Sequence, residues 1–196
     1  MLFKITAMGL MAVFYICYFS KMLHQRKQGI RTDQLGKGKE GFLKFIEITL
    51  KDTTYVVPML QIISIVFYSN HAHWMLRAVG IAIELLGVVT FIASVVEMKD
   101  NWRAGVQRED KTSLVTSGVY SISRNPAFWG FDLMYIGILY TFFNWPLFFA
   151  TAFAILLFHL QIVNVEEDFL SEAFGQEYLE YQKKVCRYFG RKFWIR

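Results

Sequence analysis

Five apolar runs, each close to the length of a membrane crossing, decide what this chain can fold into. They cover residues 2–19, 55–69, 74–96, 127–143 and 145–158, the last continuing to 165. A helix needs about 20 mostly apolar residues to cross the hydrocarbon core, with about 17 as a lower limit. The second run is short and contains Pro58, so its helix is expected to tilt, to kink or to begin deeper in the preceding segment. Asn144, Trp145 and Pro146 alone separate the last two runs, which predicts a tight helical hairpin with Pro146 in the first turn of the returning helix. Charged residues make up 19% of the chain, against about 25% in an ordinary globular domain. The expected fold class is an all-α integral membrane protein with five transmembrane helices and a C-terminal helical hairpin.

The charges fall between these runs. Eight Lys or Arg lie in 21–52, five in 97–126 and six in 166–196, so 19 of the 21 basic residues occupy three connecting or terminal segments. Only Lys4 and Arg77 lie elsewhere. The positive-inside rule then places all three segments, and the C-terminus, in the cytoplasm and the N-terminus outside. The same segments hold 14 of the 16 carboxylates, which argues against a nucleic-acid surface and for topogenic charge facing anionic lipid headgroups. No small-x-small cleavage pattern precedes Lys21, so the first run is expected to remain as an anchor, and the ending KFWIR is no prenylation signal. Cys17 and Cys186 are far apart and form no metal or disulfide pattern. His71 and His73, in the loop after the second run, have no third ligand nearby, so no metal is expected.

Two stretches carry chemistry. In GVYSISRNPAFWG (118–130), Asn125 and Pro126 read as the N-cap and first position of the fourth helix, with Arg124 beside them. A helix N-terminus with a guanidinium is suited to a carboxylate or phosphate; alternatively, Arg124 simply reaches for headgroups. In NVEEDFLSEAFGQEYLEY (164–181), Glu166 and Glu167 come directly after the fifth run. The hairpin should return Glu166 to the membrane face where Arg124 lies. An anion site beside paired carboxylates fits a zwitterion carrying a further positive centre, and S-adenosylmethionine is such a molecule. Glu84 and Asp132 lie inside the third and fourth runs, where an ionisable group is costly and either functional or tied into an interhelical hydrogen bond, here with Gln161, Asn164 or Tyr135.

LVTSGVYSISRNPAFWG, the EED at 166–168 and FGQEYLEYQKKV together resemble the isoprenylcysteine carboxyl methyltransferases, relatives of the membrane phospholipid N-methyltransferases. The family pattern is matched at Gly118, Tyr120, Arg124, Pro126, Gly130, Glu166, Glu167, Phe174, Gly175, Tyr178 and Tyr181. Asn125 replaces the family's His and Phe128 its Tyr, and the stretch IVNV (162–165) lacks the Arg that such enzymes tend to carry before the acidic pair. The resemblance implies one membrane methyltransferase unit over 1–196. Its first 100 residues supply three spans, and 101–196 supply the connector, hairpin and C-terminal helix of the catalytic region.

S-adenosylmethionine is the implied cofactor, held at the cytoplasmic face. By resemblance Leu114, Val115 and Gly118 line the adenosine, and Tyr120 stacks on it or bonds to it. Arg124, Asn125 and Pro126 hold the methionine carboxylate, with Phe128 also in the cofactor site. Glu166 takes the amino group, and Glu167 the ribose or the acceptor region. Arg124, Asn125 and Glu167 are the expected catalytic group, and Phe128, Trp129 and Asp132 the substrate entrance from lipid. The implied acceptor is a lipophilic small molecule or prenylated peptide, methylated on a carboxylate. A phospholipid amine, a sterol-reductase-like chemistry and a non-enzymatic membrane scaffold are the competing readings.

Overall fold

The computed structural model describes residues 1–67, 73–105 and 113–192. His71, Arg108 and Lys111 lie outside them. Six helices account for most of the described chain: α1 (Leu2–Lys27), α2 (Gly41–Phe67), α3 (Trp74–Met98), α4 (Pro126–Thr141), α5 (Trp145–Gln161) and α6 (Glu167–Lys184). A π-helical turn, Ile162–Glu166, joins α5 to α6 without a break. Four helical segments are long and apolar enough to cross a membrane. With 16 residues, α4 is shorter and spans about 24 Å.

The expected boundaries are reproduced where local chemistry sets them. Asn144 caps α5 by accepting from the Leu147 N–H at 3.0 Å, with proline in the first turn. Pro126 opens α4 as expected. By contrast, α2 begins 14 residues before its apolar run, at Gly41. The extra turns are amphipathic and bury Ile46, Glu47 and Leu50.

Small residues let α4 lie directly along α3. A Cβ added to Gly87 would collide with the Met134 nitrogen and the Gly130 carbonyl, and one on Gly137 with the backbone of Glu84. Glycine faces of this kind are how helices gain close contact in lipid, where apolar side chains have nothing to escape from. An aromatic core welds α1, α3 and α4: Phe14 stacks on Phe91 at 4.2 Å, and Phe131 meets Phe91 at 5.2 Å. Ile5, Ile16 and Phe19 of α1 and Phe149 and Leu156 of α5 point outward and exposed, as suits a lipid-facing surface.

The connecting segments gather at one end. After α1, residues 32–34 pair with Ala104 after α3: Ala104 N–H donates to the Thr32 carbonyl and Gln34 N–H to the Ala104 carbonyl, both at 2.9 Å. Gln25 donates to the Trp102 carbonyl at 2.9 Å and accepts from the Thr32 hydroxyl. The C-terminal segment folds onto the turn before α4, Gly190 N–H donating to Ile122 O and Arg124 N–H to Cys186 O. At the opposite end Arg77 lies over the Phe3 ring at 4.5 Å, and Lys4 donates to the Val66 carbonyl. The three basic segments therefore share one end of the bundle, and the two isolated cations hold the other.

Candidate functional site

The turn Gly118–Ser121 and the start of α4 form one wall of the candidate site. Gly118 has φ +54, and a Cβ there would sit 2.6 Å from the Glu97 carboxyl carbon. The positive φ disfavours any other residue here, and a side chain would also have to displace the Glu97 carboxylate. Glu97 also accepts from the Ser117 hydroxyl at 2.5 Å. Two residues on, Tyr120 is buried and bonded to Ser94 on α3. Burial, with Tyr181 nearby, holds its phenol well above the ordinary value, so it stays a protonated donor. Leu114 packs on Tyr178, Tyr181 and Val185, while Val115 is half-buried and Gly118 exposed.

Glycine also shapes the opposite wall. Inside α6, Gly175 takes φ +51 and ψ −124, a conformation open to glycine that re-aims the helix. The turn beyond it brings Tyr178 and Tyr181 inward: Arg124 donates to the Tyr178 oxygen at 3.1 Å, and Tyr181 donates to the carbonyls of Tyr120 and Ser123.

Between the walls lies a charge triad. Arg124 meets Glu167 at 2.8 Å, and Arg187 holds the same carboxylate with two parallel bonds, Nε to Oε1 at 2.9 Å and Nη2 to Oε2 at 2.8 Å. The bonded carboxylate raises Arg187 above its ordinary value. Glu167, at 8% exposure, is thus clamped between two cations. The contact with Arg124 is made by Glu167 rather than by Glu166. A π-helical turn inserts one residue into the helical repeat and rotates the residues beyond it by about 100°, and the turn at Ile162–Glu166 directs the two glutamates to different neighbours. Glu166 accepts from Gln161 at 3.2 Å, and Gln161 also donates to Glu47 at 3.0 Å. Glu47 is fully buried, with Lys39 and the Gly36 N–H as its other partners. Asn125 occupies the N-cap position of α4 but forms no side-chain cap; its amide donates to the Arg187 carbonyl at 3.1 Å. Arg187, Glu97, Glu47 and Gln161 were not legible as site residues, because each acts through a partner distant in sequence.

The three expected entrance residues separate. Phe128 lines a cavity of about 370 Å³ between α1, α2, α3, α4 and α5, whose walls include Met11, Tyr18, Pro58, Phe131 and Phe158. Trp129 and Asp132 instead line a shallow cleft on another side of the α4–α5 hairpin, with His159 and Tyr188. There the His159 Nδ1 and the Tyr188 hydroxyl lie 2.6 Å apart, and Trp129 stacks on Phe189 at 4.9 Å. Glu84 does not form the expected interhelical hydrogen bond: both its oxygens are buried without a partner among the described residues, and Gln161 bonds to Glu47 and Glu166 instead. One oxygen of Asp132 is likewise without a partner among them.

Residues 75–177, more than half the chain, match the family described as phospholipid methyltransferase. The chain belongs to that family. Its similar proteins include protein-S-isoprenylcysteine O-methyltransferase B of Arabidopsis thaliana, 29% identical over 66% of this chain and 68% of that one. Protein-S-isoprenylcysteine O-methyltransferase A of the same plant is 30% identical over 62% of this chain and 63% of its own length. The Xenopus laevis protein-S-isoprenylcysteine O-methyltransferase is 32% identical over 72% of this chain and 46% of that protein. The chain thus spans about two thirds of the plant relatives and less than half of the amphibian one. Arg124, Glu166 and Glu167 all fall within the family match.

Proposed function

We propose that this chain is a membrane methyltransferase that uses S-adenosylmethionine to methylate the carboxylate of a lipophilic acceptor, a prenylated cysteine or a close analogue. The observation that carries this reading is a shared helix start. The segment leading into α4 presents Arg124 to Glu167, and the first turn of α4, through Ala127 and Phe128, walls the apolar cavity. A polar donor and a greasy acceptor would meet there. The names of the relatives support the acceptor class.

The residues present fit the donor. The Nε of Arg124 is buried without an acceptor among the described residues, leaving a donor for the methionine carboxylate beside the N–H groups at the start of α4. Glu166 offers its carboxylate to the amino group, while Glu167, held by Arg187, keeps the Arg124 guanidinium in place. Held by Arg124, the α4 start and Glu166, S-adenosylmethionine would supply an electrophilic methyl group for the acceptor oxygen, the electron pair of the carbon–sulfur bond passing to sulfur. No proton has to move. The chain's own task is to align the acceptor and keep water from its carboxylate. Phe128, Phe131 and Phe158 supply that dry wall. No histidine lines the cavity among the described residues, and His159 is engaged with Tyr188 in the other cleft. An amine acceptor would need a base to deprotonate it, so this arrangement favours a carboxylate.

In this reading α4 completes five spans, short because it is packed along α3. The basic end, with the charge triad, faces the cytoplasm, where S-adenosylmethionine is available. Acceptors enter sideways from lipid.

Calorimetric titration of S-adenosylhomocysteine into the detergent-purified chain tests the assignment. Binding is expected in the wild type. Arg124→Ala should weaken it by about 1.5–3 kcal/mol, roughly ten- to a hundredfold, by removing a charge-assisted contact. Wild-type affinity in Arg124→Ala would sink the assignment, as would a folded wild type that binds nothing.

A further inference from the structure

The apolar cavity has a charged end. Where residues 33–35 and 102–105 cover it, its lining includes three charged side chains, Asp33, Lys51 and Arg103, among walls that are otherwise mainly aliphatic and aromatic. Lys51 and Asp33 form an ion pair at 2.5 Å and balance in charge, the second Asp33 oxygen being buried without a partner among the described residues. Arg103 is left over. One nitrogen of its guanidinium donates to the carbonyls of Asp100 at 2.5 Å and Trp102 at 2.8 Å. These bonds fix the group in place and bring it no countercharge. Its Nε–H is buried with no acceptor among the described residues.

Among the described residues, this guanidinium is held beside apolar walls by neutral carbonyls alone and lacks the anion that its desolvation calls for. A carboxylate entering the cavity would supply that anion, and the fork of N–H donors matches its two oxygens. The stretch 162–165, just before the acidic pair, offers no cation for this purpose. The same cavity also reaches Ala127 and Phe128 at the start of α4.

We propose that Arg103 binds the carboxylate of the lipophilic acceptor and so sets this chain's preference for acids over neutral or cationic headgroups, with the tail lying among Tyr18, Pro58, Phe91 and Phe131. The proposal rests on the methyltransferase reading for its biological meaning but not for its test. N-acetyl-S-farnesylcysteine and its methyl ester, which differ in one negative charge, are titrated into the detergent-purified full chain. The wild type should bind the acid at least tenfold more tightly than the ester. Arg103→Gln should lose that preference by weakening the acid alone, and Arg103→Lys should recover part of it. S-adenosylhomocysteine affinity should be the same in Arg103→Gln as in the wild type, which separates acceptor recognition from general misfolding. Equal affinity of wild type and Arg103→Gln for the acid overturns the proposal, and so does a wild type that binds neither compound. A wild type that binds the acid through Arg103 but takes no S-adenosylhomocysteine would sink the methyltransferase reading and leave the assignment of Arg103 standing.

Discussion

At the scale of single residues, Glu167 carries the greatest consequence. It is almost fully buried, and two arginines approach it from different parts of the chain, one from the start of α4 and one from the C-terminal segment. Removing its charge leaves two guanidinium groups facing a neutral side chain. Breaking a buried pair by deleting one partner costs about 3–5 kcal/mol, because the remaining charge has lost its compensation. Arg187 is about a third exposed, and its loss still leaves Glu167 paired with Arg124, so a cost nearer 1–2 kcal/mol applies. Thermal unfolding monitored by tryptophan fluorescence should therefore show a larger drop in Tm for Glu167→Gln than for Arg187→Gln. The reverse order would mean that the C-terminal segment, and not Arg124, holds the carboxylate in place. Arg124 was legible in the sequence because its helix start is announced locally by Asn125 and Pro126. Which glutamate answers it was not, since a π-helical turn has no local signature and shifts the facing side chain by one position.

At the scale of elements, the α3–α4 pair is held by what is missing from its glycines. Gly87 has no room for a Cβ against the Met134 and Gly130 backbone, whereas Gly9 on α1 has nothing within 4 Å of where one would be. A methyl group at Gly87 forces the two helices apart, an overpacking cost of about 1–3 kcal/mol. Gly87→Ala should lower Tm by several degrees and Gly9→Ala should leave it nearly unchanged or raise it slightly, since alanine is the better helix former. Equal effects at both sites would show that the glycine face does not hold α4. The sequence shows the apolar length of these helices plainly, because hydropathy is a property of each segment alone. Which of its 13 glycines pack between helices is a property of two segments together and cannot be read from either. The early start of α2 has the same origin. Glu47 would be out of place on a buried face until Lys39, the Gly36 N–H and Gln161 are brought to it, and the last lies 114 residues away.

At the scale of the whole molecule, charge asymmetry and the fold point the same way. Residues 32–34 are hydrogen-bonded to Ala104, and Cys186 and Gly190 to Arg124 and Ile122, all at one end of the bundle; Lys4, bonded to the Val66 carbonyl, and Arg77, over the Phe3 ring, occupy the other. The gathering of the basic segments at one end was legible because the count needs no contacts, only the order of spans and charges. The pairing of residues 32–34 with Ala104 was not, since its partners come from opposite sides of α2 and α3. Orientation therefore has a direct test in a cysteine-free background, made by replacing Cys17 and Cys186 with alanine. Single cysteines at Lys37 and Lys184 mark the basic end, and one at His73 marks the start of α3 at the other. All three positions are exposed. In sealed right-side-out vesicles a membrane-impermeant maleimide should label His73→Cys at once, and should reach Lys37→Cys and Lys184→Cys only after the membrane is opened. Labelling of Lys184→Cys without opening would put the charge triad on the side without S-adenosylmethionine, and with it the methyltransferase reading would lose its source of methyl groups. Protection of Lys184→Cys until opening places donor entry at the basic end and leaves the lateral wall of the apolar cavity, through α1 and α2, as the path for the acceptor.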